Sequence, residues 1–222
     1  MLPGGVQSKG DELMKKNWKK LTSLKDVSTY CKIGRKFWAA EYSESYLLQG
    51  DIFGCFNDEG ELVGGFALVY DAKLRTLNFF SEDDRQILPI ISVVPDEKFC
   101  EVAGFWFDPS KKNQNQSTEA WLHLSKAIKN TGKEYLIWGF DSNHKGLANL
   151  YKRLGTTIIY SGDVGSGNVP ENNFQKNVTI ISGRSSGITF RIKLMLLKRI
   201  FKRKKRGISI LHGKKEKIQS VS

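Results

Sequence analysis

KFCEVAGFWFDPSKKNQNQSTEAWLHLSKAIKNTGKEYLIWGFDSNHKGLANLYKRLGTTIIYSGD, residues 98–163, alternates strand-like and helix-like hydrophobic periods. Phe99, Glu101, Ala103, Phe105 and Phe107 fall on one face of a first strand. Cys100, Val102, Gly104 and Trp106 fall on the other, so both faces read as largely buried. Asp108-Pro109 ends that strand. The loop SKKNQNQST has no large apolar residue, and Ser117 or Thr118 can cap a helix whose apolar face is Trp121, Leu124 and Ile128. YLIWGF then reads as a buried strand. Asp141, Ser142 and Asn143 offer caps for a second helix bearing Leu147, Leu150, Tyr151 and Leu154, closed by Gly155.

Strand, loop, helix, strand, helix is a βαβα unit, and ligands of such units sit beyond the carboxyl ends of the strands. That edge gathers Phe107, the loop 110–117 and residues 141–144. A polar loop feeding a helix N-terminus also favours phosphate, because unpaired N–H groups and the helix dipole point at it. An ordinary strand-to-helix connection is the competing reading of the loop.

NLYKRLGTTIIYSG resembles the fourth-helix motif of the GNAT (acyl-CoA N-acyltransferase) superfamily: Leu150, Tyr151 and Gly155 match its leucine-tyrosine-x-x-x-glycine pattern ahead of a strand. The resemblance spans roughly residues 50–165. In the superfamily the pyrophosphate loop reads Gln or Arg, x, x, Gly, x, Gly or Ala. Counted from Pro109, Lys112 takes the basic position here, and Asn113, Asn115 and Ser117 stand where small residues are usual. None is glycine, though asparagine is the next residue to tolerate positive φ.

The resemblance implies a GNAT-like α/β fold: a central mixed, mostly antiparallel sheet with helices on both faces, and a donor site between two central parallel strands. It implies acyl transfer from acyl-CoA or acetyl-CoA, or from an acyl carrier protein, to a small-molecule or peptide amine, with no metal. Tyr151 would be the acid for the departing thiolate, with Glu101 and Asp141 as candidate bases. Backbone N–H groups near Phe105, Trp106 and Phe107 would hold the oxyanion. Lys112, Asn113, Gln114, Asn115, Gln116 and Ser117, with Asn143, would meet the donor. Among relatives of this fold, those resembling N-acyl amino acid and autoinducer synthases suggest a long-chain acyl donor.

Upstream, DIFGCFNDEGELVGGFALVYD reads as two strands around an Asn57–Gly60 turn, KLRTLNFF as a third strand, and SEDDRQIL as a short helix begun at Ser81. Residues 27–47 give one or two helices rich in aromatics: Tyr30, Phe37, Trp38 and Tyr42. Residues 1–16 read as a flexible lead-in without a signal peptide's apolar core, and 17–183 as the folded domain. Three scattered cysteines, Cys31, Cys55 and Cys100, suit reduced thiols in a cytoplasmic setting. The three histidines have no metal-ligand spacing.

After a glycine- and asparagine-rich loop, NVTIISG reads as a returning strand. Residues 184–222 then read as a basic, amphipathic or disordered extension. They hold thirteen of the chain's 35 Lys and Arg but one of its 23 acids, which leaves residues 1–183 with twenty-two of each sign. The whole net charge of +12 lies in this segment. Residues 188–206 interleave large aliphatic and basic residues, which suits an anionic membrane surface at the inner face. An acidic acyl carrier protein is also electrostatically complementary. Nucleic acid fits less well, since no nucleic-acid motif accompanies the charge. The competing function is a GNAT-fold binding module without catalysis, held at a membrane or polyanion by this segment.

Overall fold

The computed structural model describes residues 17–38, 42–111, 116–143, 145–162, 178–199 and 201, and all structural statements concern these. The described strands form a seven-stranded sheet in the order β1-β2-β3-β4-β5-β7-β6. Their bounds are Trp18–Leu21, Gly50–Phe56, Leu62–Val69, Phe99–Phe107, Tyr135–Asp141, Thr157–Gly162 and Val178–Arg184 for β1 to β7. All neighbours run antiparallel except β4 and β5. A parallel pair needs a crossover, and α4, Gln116–Thr131, supplies it.

One face of the sheet packs Phe66, Leu68, Cys100 and Leu136 beneath Leu124 and Ile128 of α4, and Leu154 just past α5, Lys145–Arg153. The other face packs Ala67, Val69, Phe99 and Ile137 beneath Val27 and Tyr30 of α1, Leu24–Gly34, and Leu47 of α2, Glu44–Leu47. The β2–β3 turn forms where expected: Gly60 has φ 80°, and the Asn57 side chain accepts from the Glu61 amide at 2.8 Å. α3, Glu82–Ile87, starts from a Ser81/Asp84 capping box, with three acids in its first turn facing the helix dipole. Gly155 closes α5 at φ 78°.

Several expectations fail for identifiable reasons. KLRTLNFF is not a strand. Leu77–Phe79 forms a 3₁₀ turn, and the Thr76 amide bonds the Glu101 carboxylate at 2.8 Å instead of joining a ladder. The face assignment along β4 holds only to Ala103. Gly65 pairs with Trp106 but Ala67 with Ala103, so β4 carries one extra residue, and Gly104 takes φ 56°. A bulge of this kind exchanges the two faces beyond it. Phe105 and Phe107 therefore join Cys100 and Val102 under α4, while Trp106 joins Ala103 under α1.

β1 has no counterpart in the sequence reading; Trp18 and Leu21 bury its two ends against β2 and the core. At the other terminus, residues 185–199 form a helix, α6, directly after β7. Ile188, Ile192 and Leu196 recur at helical spacing and are at most 3% exposed, packed with Ile128, Leu154 and Ile181. The hydrophobic core thus continues past residue 183. The lead-in 1–16, the loop 163–177 and the segment 202–222 lie outside the described residues. No helix among the described residues is long and apolar enough to cross a membrane.

Candidate active site

The parallel ladder between β4 and β5 is short. Phe99 pairs with Tyr135, Cys100 with Leu136 and Glu101 with Ile137, and there the register ends, although both strands continue. On its far side β5 stays bonded to β7 through Asp141, so it is the β4–β5 seam alone that opens. The bulge at Gly104 lies three residues past the last pair. Its carbonyl accepts from the Tyr30 hydroxyl at 2.5 Å and the Trp38 indole at 3.0 Å, which draws the bulge toward α1 and away from β5.

A cavity of about 160 Å³ fills the opening. Trp38 and Tyr42 line one side and Gly104 and Phe105 the strand edge. Trp138, Asp141 and Tyr151 line the β5 side, and the cavity reaches Ile128, Leu154 and Ile188 beneath α4 and α6. Tyr151 is packed by two aromatic rings, Trp138 and Phe140, each 5.1 Å away between centroids. Burial pushes its phenol up to about 12, and the Trp138 indole beside it works in the opposite direction. Asp141 is buried, ends β5, and accepts the Asn143 amide at 2.9 Å, so it shapes the turn into α5.

Glu101 belongs elsewhere. It does not line this cavity; it accepts the Thr76 amide and is bonded by Tyr46, with Arg75 close by. Burial raises its pKa, against those hydrogen bonds and that charge. Arg75 in turn lies 4.8 Å from the Tyr42 ring centroid and gives its backbone N–H to Tyr46. Tyr42 is pushed up to about 12 by burial and then by the Glu101 charge. Glu101 therefore touches the cavity indirectly, through the Arg75–Tyr42 wall.

The remaining sequence candidates separate as follows. Phe105 lines the cavity and packs on Trp121 at 5.5 Å. Trp106 turns to the opposite face and stacks on Phe37 at 5.3 Å, and Phe107 packs edge-on to Trp18 at 6.1 Å. Gln116 is buried, its amide reaching toward the Phe56 carbonyl at 3.5 Å. Asn143 is exposed at the head of α5. Lys112, Asn113, Gln114 and Asn115 lie outside the described residues, as does the side chain of Ser117. The sequence reading missed Trp138 and Ile188 as lining residues and Gly104 as the bulge. An isolated glycine inside a strand pattern was the available signal for the last.

No family model matches this chain, and no curated protein does. Solved structures do. An N-acyl amino acid synthase, FeeM, from uncultured soil microbes matches at TM-score 0.51 and 18% identity, over 76% of this chain and 90% of its own. The ribosomal-protein-S18-alanine N-acetyltransferase of Escherichia coli matches at TM-score 0.51 and 12% identity, over 76% and 92%. At these identities the likeness speaks for architecture. With its strand order, its opened parallel seam and these neighbours, the chain has a GNAT-like fold.

Proposed function

We propose that this protein transfers an acyl group from a pantetheine thioester, acyl-CoA or acyl carrier protein, to an amine. The observation that carries the reading is the seam that parts after Glu101 and Ile137 into a cavity bordered by a tyrosine and a carboxylate. The amine attacks the thioester carbonyl, Asp141 takes the proton that the amine loses, and Tyr151 hydrogen-bonds the departing sulfur. Backbone N–H groups along β4 beyond the last β5 pair are available to the developing oxyanion. A phenol at about 12 lies above a thiol at about 8.5, so Tyr151 serves first as a hydrogen-bond donor. Full proton transfer requires the bound substrate to lower its pKa. Glu101 is assigned a positioning role, holding Thr76, Tyr46 and, through Arg75, the Tyr42 wall.

The donor chain is longer than acetyl. The lining toward Ile128, Leu154 and Ile188 is aliphatic and gives an acyl chain an apolar surface to lie against. An amino acid is the first acceptor to try, because the FeeM neighbour is an N-acyl amino acid synthase. The test is thermal shift with coenzyme A, an acyl-CoA series from acetyl to palmitoyl and acylated carrier protein, joined to thiol release with an amino-acid panel. A ligand at a hundredfold excess over Kd stabilises by about 2.7 kcal/mol. Thiol release peaking at a chain longer than acetyl supports the reading. No stabilisation by any thioester or carrier defeats it.

A further inference from the structure

Burial divides α6 into two faces. Ile188, Ile192 and Leu196 are spent on the core, yet Phe190, Leu194, Leu197 and Phe201 remain 66%, 41%, 50% and 63% exposed. At about 100° per residue, these four fall within about 60° of one another, opposite the buried three. They form one apolar stripe along the outside of the helix. Lys193 flanks it on one side and Arg191 and Lys198 on the other, all exposed. At the N-terminal end of the stripe, Lys129, Ser185, Phe190 and Lys193 border a groove of about 400 Å³. The Ser185 hydroxyl is buried there without a hydrogen-bond partner among the described residues.

A stripe of phenylalanine and leucine bordered by cations is the pattern of a helix lying in a membrane interface, with apolar side chains in the acyl boundary and ammonium groups at the phosphates. An anionic bilayer complements both the apolar stripe and its cationic borders in the order in which they occur across the helix. Nucleic acid would leave four large apolar side chains in water. We propose that the outer face of α6 docks this protein on an anionic phospholipid bilayer, through Phe190, Leu194, Leu197 and Phe201 with Lys193 and Lys198. The groove beside Phe190 takes a headgroup phosphate. This inference stands apart from the acyl-transfer reading, since it uses none of the residues at the β4–β5 seam.

The test is co-sedimentation of the full chain with vesicles of phosphatidylcholine alone and with a third phosphatidylglycerol, at low and high salt. Binding is expected to the anionic vesicles only and to weaken with salt, because screening shortens the reach of surface charge. Phe190→Ser with Leu197→Ser, both exposed and so compatible with folding, should lower the affinity at least tenfold. Lys193→Glu and Lys198→Glu should each lower it about fivefold or more. Equal recovery with neutral and anionic vesicles overturns the proposal, and so does no recovery with either. Unchanged binding by the serine double variant also overturns it, since charge alone, as for a nucleic acid, would then account for the interaction.

Discussion

Trp138 stands edge-on to Tyr151, ring centroids 5.1 Å apart and planes at 78°, with both side chains on the wall of the cavity. The indole bears on the phenol's acidity, since it opposes the effect of burial. Tyr151→Phe should keep the fold, losing at most about 1.5 kcal/mol with the hydroxyl. Thiol release should fall by about 10²–10⁴ if the phenol assists the leaving sulfur. Steady-state rates against thermal melting separate the two effects.

Trp138→Phe keeps a ring in place but removes the N–H donor. The Tyr151 pKa should then rise above its present value, because the indole that lowers it is gone. The alkaline limb of the pH–rate profile should move upward with a modest loss of kcat. An unmoved alkaline limb would dissociate Trp138 from the chemistry.

Glu101→Gln distinguishes a positioning carboxylate from a base. Burial raises the Glu101 pKa above its unfolded value, so the fold favours the neutral form more than the unfolded chain does. The stability it contributes is intact below the unfolded value of about 4.3 and is lost as pH climbs from there through the folded value. Glutamine cannot ionise and still accepts the Thr76 amide. The melting temperature of the variant should therefore gain on wild type as pH rises from 4 to 7, with kcat largely retained. A loss of a hundredfold or more in kcat at unchanged stability would make Glu101 the base. Glu101→Ala, which strands the buried Thr76 amide, should cost about 1–3 kcal/mol.

Gly104→Ala acts on the bulge itself. An L-residue at φ 56° costs about 1–2 kcal/mol, and the added Cβ would lie 3.2 Å from the Trp38 ring. Both effects push the strand back toward a regular ladder. Stability should drop by a few kcal/mol at most, while thioester binding, read by thermal shift, should drop further as the seam narrows.

Ile192→Ala tests whether the core extends into α6. Ile192 is fully buried among aliphatic neighbours, so the variant should lose about 2–5 kcal/mol, measured by urea unfolding. The exposed Leu197, one and a half turns further on, should tolerate alanine within about 0.5 kcal/mol.

The periodicities of residues 98–163 were enough to place both central strands, the bodies of both helices and the Gly155 cap, because each depends on contacts a few residues apart; α4 nevertheless begins at Gln116, so Ser117 and Thr118 lie inside its first turn instead of capping it. The Ser81 cap and the Asn57–Gly60 turn were legible for the same reason. Charge segregation toward residues 184–222 was likewise a property of the chain alone. Tertiary structure decided what depends on distant partners. KLRTLNFF lost its strand to the Glu101 carboxylate, which claims the Thr76 amide across the fold. Phe105 and Trp106 changed faces because Tyr30 and Trp38 hold the Gly104 carbonyl out of the ladder. The aliphatic run of α6 could be divided into a core face and a stripe facing solvent only once the sheet was there to bury Ile188, Ile192 and Leu196. A sequence period records which residues share a face; which face meets water is set by what the rest of the chain brings against it.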